Sequence, residues 1–153
     1  MPSSRPIPFP TRVPFVESLG AELHVFADGV SELRLTLAER HLNSGDVAHG
    51  GVVMTLLDVA MAFAARCANA DSVAVATIEM KTTFMRPSEG TLRAVGKVLQ
   101  RTTSLAFCEA AMYDDQGVLC AGATGTFKYF TARGPRGVHA ASDPSTSPPK
   151  ASP

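Results

Sequence analysis

The alternation of apolar and polar positions changes period along the chain, and each period marks an element. AELHVFA and VSELRLTL alternate as strands do and flank Asp28-Gly29, a dipeptide suited to the left-handed turn conformation, which predicts a β-hairpin. Ahead of them, PFVESLG reads as one or two helical turns. A loop rich in turn formers, HLNSGD, leads to VAHGGVVMTLLDVAMAFAARCANA, whose 18 or so residues after the glycines are apolar nearly all round, as in a helix buried on most sides. SVAVATIEMKTTFMR, TLRAVGKVLQR, SLAFCEAAMYD and VLCAGATGTFKYF then read as strands, the last two joined at Asp115-Gln116-Gly117. The order is β-β-α-β-β-β-β. Long strands with tight turns imply an antiparallel sheet, and one apolar helix must be wrapped by that sheet to leave water, so the class is α+β. In Thr91–Arg101 the odd positions carry Arg93, Lys97 and Arg101 while the even ones carry Leu92, Ala94, Gly96 and Val98, which gives one wet face and one face small enough to admit the helix.

Proline marks the boundaries. Five of the eleven prolines fall at positions 2, 6, 8, 10 and 14 and five at 135, 144, 148, 149 and 153, with only Pro87 between. Because proline lacks the donor that ladders and helices need, residues 1–12 are expected as a flexible N-terminal segment, 13–130 as one folded domain and 131–153 as a flexible Pro/Ser-rich tail.

Composition narrows the function classes. At 153 residues, 45% hydrophobic and 18% charged, the chain suits one domain with much to bury, not a disordered polymer. Fourteen cations balance fourteen anions, so no global field draws nucleic acid or anionic lipid. The longest apolar stretch, Val52 to Ala65, spans about 14 residues and contains Asp58, short of the roughly 20 that cross a bilayer, and MPSSRPIPFP does not resemble a secretory signal. Cys67, Cys108 and Cys120 cannot all pair within one chain and form no CxxC, so neither a disulfide framework nor a thiolate zinc site is expected, and the cytoplasm fits best.

Asp58 is the main anomaly, since a carboxylate inside an apolar helix costs several kcal/mol or shifts its pKa upward. By helical spacing Gly51, Thr55, Asp58, Ala62 and Ala65 share one side, whereas Val53, Leu56, Leu57, Ala60 and Phe63 suit packing on the sheet. Two readings follow: a structural carboxylate, bonded to a neighbouring backbone or paired with Arg66, or a functional one. His49-Gly50-Gly51 stands at the helix start, where amides without intrahelical acceptors and the macrodipole favour an oxyanion. His49 and Asp58 lie about 13 Å apart along the helix, too far to act on one carbon, and a dimer would remove that distance. His24, His41 and His139 lack acidic or cysteine partners at ligand spacing and read as structural or solvated, and no G-x-S-x-G supports a serine esterase.

The pattern Asn43-x-Gly45-x-x-x-His49-Gly50-Gly51 followed by Thr55-Leu56-x-Asp58 resembles the PaaI-type acyl-CoA thioesterases of the hotdog fold. The likeness runs from PFVESLG through Thr77 and Phe84-Met85-Arg86-Pro87 to Gly122-Ala123-Thr124-Gly125-Thr126-Phe127. It implies a long helix rolled in a five- to six-stranded antiparallel sheet, subunits paired through the strand after the helix, and a homodimer or homotetramer with sites across the interface. By the same resemblance Asp58 is the nucleophile or the base for water, Gly50 supplies the oxyanion amide, His49 and Asn43 position or polarise the thioester, and Thr77 holds the water or the carboxylate. Gly51 and a cluster of cations, Lys81, Arg86, Arg93, Lys97 and Arg101, are expected to meet the substrate, the cations through coenzyme A phosphates or, alternatively, as a solvated sheet face. The implied activity is hydrolysis of an aryl or short- to medium-chain acyl-CoA, with no metal or redox cofactor, no nucleic acid and no membrane. The alternatives are a non-catalytic acyl-CoA-binding protein of the same fold and a hotdog hydratase, whose motifs do not match.

Overall fold

The computed structural model describes residues 5–132; His139 and the rest of the tail beyond residue 132 lie outside them. A short helix, α1 (Pro14–Leu19), starts with proline at a position where the missing N–H costs nothing and stops at Gly20 in the left-handed conformation. The hairpin follows as β1 (Glu22–Ala27) and β2 (Val30–Thr36). Its turn residues Asp28 and Gly29 have φ of 53° and 74°, the signs that a two-residue type I′ turn needs. A 3₁₀ turn over Glu39–His41 precedes α2 (Gly50–Cys67), and the chain ends in β3 (Ser72–Phe84), β4 (Thr91–Arg101), β5 (Leu105–Tyr113) and β6 (Leu119–Thr131). All pairings are antiparallel, in the spatial order β1-β2-β4-β5-β6-β3. The six-stranded sheet wraps α2, as expected, and β3 forms one edge.

Four points differ in detail from the sequence reading. The segment before α1 does touch the body: Ile7, the one residue with an N–H between Pro6 and Pro8, donates to the Leu23 carbonyl at 2.8 Å, and Phe9 packs on Phe63 with ring centroids 5.8 Å apart. The last strand continues to Thr131, paired with Ser72. Ala65 is fully buried and does not share the Asp58 side of α2, because the Tyr129 hydroxyl of β6 donates to the Ala65 carbonyl at 3.0 Å. Finally, α2 is by length and composition apolar enough to cross a membrane, at 18 residues and a mean hydropathy of 1.5. Half of it is buried within the sheet, as befits a core helix.

What seats α2 is a close approach at its midpoint. A Cβ on Gly96 of β4 would collide with the helix backbone at Ala60 and Met61, so only glycine lets helix and sheet meet there. Directly across the ladder from Gly96, Ser31 of β2 is fully buried, and its hydroxyl donates to the Ala60 carbonyl at 2.6 Å. Asp58, two residues and about 200° away round the helix, consequently faces outward.

Gly96→Ala should destabilise the fold by about 2 to 3 kcal/mol through forced separation of α2 from β4, read as a lower denaturant midpoint. An unchanged midpoint would mean that the helix seat is adjustable.

Candidate active site

Two groups of polar residues lie on the part of α2 that its own sheet leaves uncovered. The first is at the helix N-terminus. His49 is the N-cap, and its Nδ1 accepts from the Gly51 N–H at 2.9 Å. That bond places the proton of the neutral ring on Nε2, which is left as an outward donor. Val52 and Val53 both donate to the His49 carbonyl, at 2.9 and 3.2 Å. The Gly50 N–H therefore remains the first-turn amide with no acceptor among the described residues, at the positive end of an 18-residue helix.

The loop before α2 is closed on itself. Asn43 Oδ1 accepts from the Gly45 N–H at 2.8 Å, the Asn43 N–H donates to the Val47 carbonyl at 2.9 Å, and Asp46 takes a left-handed φ of 59°. Asn43 thus keeps its side-chain NH₂ for another partner. Behind this loop His41 is buried, accepts from the Ala38 N–H through Nδ1, and offers its carbonyl to the His49 N–H at 2.8 Å. It is structural, as expected.

Gly50 and Asn43 line a hollow of about 400 Å³ together with Val53, Phe84, Met85 and Arg86. His49 and Gly51 open instead onto a second hollow, of about 480 Å³, whose walls include Phe15, Leu19, Arg40 and Thr55. On sequence alone Phe84 and Met85 have no role beyond the motif they belong to; in the structure they are 53% and 46% exposed and line the Gly50 hollow.

The second group is Asp58 with Thr77. The Thr77 hydroxyl donates to Asp58 Oδ1 at 2.7 Å. A β-bulge between Thr77 and Glu79 makes this contact compatible with the rest of β3. Up to Thr77 the odd positions face α2; beyond the bulge the even ones do, so Met80 packs on the core while Glu79 turns outward to accept from Thr126 at 2.6 Å. Without that switch Glu79 and Lys81 would point at the helix. The Asp58 carboxyl is held above its ordinary value because burial disfavours the charge, an effect partly opposed by the Thr77 hydrogen bond. The structural reading that paired Asp58 with Arg66 does not hold, since Asp58 bonds Thr77.

The expected cation cluster separates into different environments. Arg93 lies 3.3 Å from Glu32 and stacks over Tyr113, and Lys97 lies 2.8 Å from Glu109. Lys81 and Lys97 border a hollow on the outer face of the sheet, and Arg101 a separate one beside Asn69 and Asp71. Arg86 alone among the five shares a hollow with Gly50, its Nη1 anchored on the Leu119 carbonyl at 3.0 Å. Cys67, Cys108 and Cys120 are free thiols, and burial pushes the Cys108 thiol up to about 12, which makes it inert.

A long helix rolled in an antiparallel sheet, carrying an open oxyanion-type amide at its start and a hydroxyl-supported carboxylate two turns on, defines a hotdog protein equipped for hydrolysis. The comparisons agree. Residues 45–121 match the thioesterase superfamily, and the chain belongs to that family. A Saccharolobus solfataricus protein, an esterase by inferred name, is 31% identical over 73% of this chain and 75% of its own. The structure of a conserved protein from Pseudomonas aeruginosa is 30% identical, with a TM-score of 0.73, and the match covers 78% of this chain and 95% of that one. The PaaI protein from the Escherichia coli phenylacetic acid degradation operon shares the fold at 21% identity and a TM-score of 0.70, over 76% of this chain and 83% of its own.

The raised Asp58 pKa has a consequence for stability. A group held above its unfolded value favours the folded state most when protonated, and that contribution is lost as pH rises from the ordinary carboxylate value through the raised one. Asp58→Asn should therefore melt higher than the parent at neutral pH, with the gap closing in acid, as followed by thermal unfolding across a pH series. Thr77→Val, which removes the lowering hydrogen bond, should move the Asp58 titration further up, as read by carboxyl-carbon NMR.

Proposed function

We propose that the protein hydrolyses acyl-CoA thioesters and builds each active site from two copies of the chain, with Gly50, His49 and Asn43 of one facing Asp58 and Thr77 of the other. The observation that carries this reading is the Thr77–Asp58 pair: a carboxylate on an apolar helix, turned away from the core and held at 2.7 Å by a hydroxyl on the edge strand. Within one chain Gly50 and Asp58 are about 12 Å apart along the helix, so one carbonyl cannot meet both. Edge strand β3 supports the two-chain arrangement. It runs for 13 residues, pairs on one side only, and exposes Val73, Ile78 and Phe84 at 53–55%. Such an edge invites pairing with its own symmetry mate, which would bring the two helices together.

In this reading the thioester oxygen lies against the Gly50 N–H. The Thr77 hydroxyl donates a hydrogen bond to Asp58 Oδ1, leaving its own oxygen lone pairs and Oδ2 to hold a water. Asp58 takes a proton as the water oxygen bonds to the thioester carbon, and negative charge collects on the carbonyl oxygen at the helix N-terminus. Collapse breaks the carbon–sulfur bond, and the proton leaves with the thiolate, giving a free acid and coenzyme A. Arg86, exposed in the Gly50 hollow, is placed to meet the coenzyme arm.

A panel of aromatic and aliphatic acyl-CoA esters assayed for released thiol tests this directly. Turnover of at least one member is expected; none from a folded oligomer would leave a binding protein. Asp58→Asn should lower turnover by about 10² to 10⁴-fold while folding is retained. Gly50→Pro is a clean removal of the oxyanion donor, because Gly50 is the first helical residue, where proline is well accommodated, and His49 already has φ −59° and ψ 137°. Its turnover should fall by roughly 10² to 10³-fold. Light scattering should show a dimer at minimum, and a monomer would contradict the two-chain site.

A further inference from the structure

A site shared between two chains requires one particular alignment of β3 with its mate, and contacts within a single chain measure it. β3 runs beside α2 in the opposite direction. At one level the Phe84 ring lies against Gly50, 3.5 Å from where a Cβ on that residue would stand; at the other the Thr77 hydroxyl holds Asp58. For Gly50 of one helix to meet Asp58 of the other, a two-fold axis must cross α2 midway between them, near residue 54. The axis is normal to the sheet, so that both helices stay on one face. It therefore crosses β3 midway between Phe84 and Thr77, level with Met80 or Lys81.

The pleat and the charges narrow the choice. Residues directly opposite each other in an antiparallel ladder point to the same face. Past the bulge Met80 packs on the core, whereas Glu79, bonded to Thr126, and Lys81, on the rim of the outer hollow, face outward. Met80 cannot then stand opposite Lys81, and the axis is centred on a single residue: Glu79, Met80 or Lys81. Centring on Glu79 sets two carboxylates against each other, and centring on Lys81 sets two ammonium groups against each other. Centring on Met80 sets Glu79 of each chain opposite Lys81 of the other. Among the described residues neither side chain is engaged in an ion pair within its own chain. Only this middle register both lies at the level read from α2 and joins opposite charges.

We propose that β3 pairs with its symmetry mate in the register centred on Met80, held by two reciprocal ion pairs between Glu79 of one chain and Lys81 of the other on the outer face. This rests on the two-chain reading above and names the contact that sets its geometry. A slip to either neighbouring register moves one chain by two residues, about 6.6 Å, past its mate. A carbonyl held between Gly50 and Asp58 does not tolerate such a shift. Glu79 and Lys81 are thus positioning residues, and Lys81 belongs to the subunit contact and not to a coenzyme site.

Cysteines on the outer face read the register directly. Glu79→Cys and Lys81→Cys chains are taken separately and as a mixture unfolded and refolded together, then oxidised mildly with diamide and separated without reductant. The parent controls for Cys67, Cys108 and Cys120. The Met80 register predicts a disulfide-linked dimer from the mixture alone. Positions 79 and 81 of opposite chains stand about 5 Å apart between Cα atoms, within disulfide reach, whereas either position and its own mate stand about 8 Å apart. Linkage of Lys81→Cys or of Glu79→Cys by itself would centre the axis on that residue and overturn the proposal, with β3 still the shared edge. No linkage in any sample that light scattering shows to be dimeric would put the interface elsewhere and also overturn it. A monomeric parent would remove the two-chain reading as well. Charge gives an independent readout: Glu79→Lys and Lys81→Glu should each raise the dimer dissociation constant about 10-fold, and the two together in one chain should restore it. Single variants that dimerise as tightly as the parent would contradict the ion pairs.

Discussion

The contact between Gly96 and the backbone of Ala60 governs the rest of the molecule. It is a steric constraint: without a Cβ at position 96, β4 and α2 close to a distance no other residue would allow. The Ser31 hydroxyl then holds the Ala60 carbonyl, and the Tyr129 hydroxyl holds the Ala65 carbonyl five residues on. Two hydrogen bonds and one close approach fix the rotation of α2 about its axis. Once that rotation is set, Leu56, Leu57, Ala60 and Phe63 enter the core and Asp58 must leave it. The outward carboxylate is a consequence of the packing on the opposite side of the helix.

Polarity along that outward strip is ordered by the helix itself. Its start offers an unpaired amide and partial positive charge, suited to an oxyanion, and its middle offers a carboxylate whose burial raises its affinity for a proton. These complementary tools cannot serve one substrate within one chain, because a rigid helix keeps them apart. They can serve it if a second helix lies antiparallel alongside, and the long, one-sided β3 is the element whose pairing would put it there. On this view the same strand supplies Thr77 to the carboxylate and the edge to the partner.

Much of this was legible in the sequence. The type I′ turn at Asp28-Gly29, the apolar helix after two glycines, and the small even positions of β4 all follow from local rules, and each is present. Gly96 was readable as room for the helix, and alternation with Leu33 and Leu35 puts Ser31 on the same inner face, but nothing local names the Ala60 carbonyl as its partner, because that contact depends on how closely α2 approaches the sheet. The bulge at Thr77 was equally silent. Strict alternation puts Thr77, Glu79 and Lys81 on one face, and only the pairing of β3 with β6 shows the shift that separates them. The basic cluster illustrates the opposite case: of five cations in one stretch of sequence only Lys81 and Lys97 border a common hollow, while Arg86 lies at the Gly50 hollow and Arg101 beside Asn69, with β3 and β4 separated by β5 and β6. Proximity in sequence carries no spatial meaning across a sheet order that places consecutive strands apart.

The central claim, that one active site takes Gly50 from one chain and Asp58 from another, is tested most directly by complementation. Asp58→Asn and Gly50→Pro subunits, each inactive alone, are mixed, dissociated in denaturant and refolded together. Random pairing makes half of the dimers hybrid, and each hybrid contains one site with both native groups, so thiol release should recover to about one quarter of the parent rate. Recovery absent from a refolded mixture, under conditions in which the parent regains full activity, would contradict a site shared between chains.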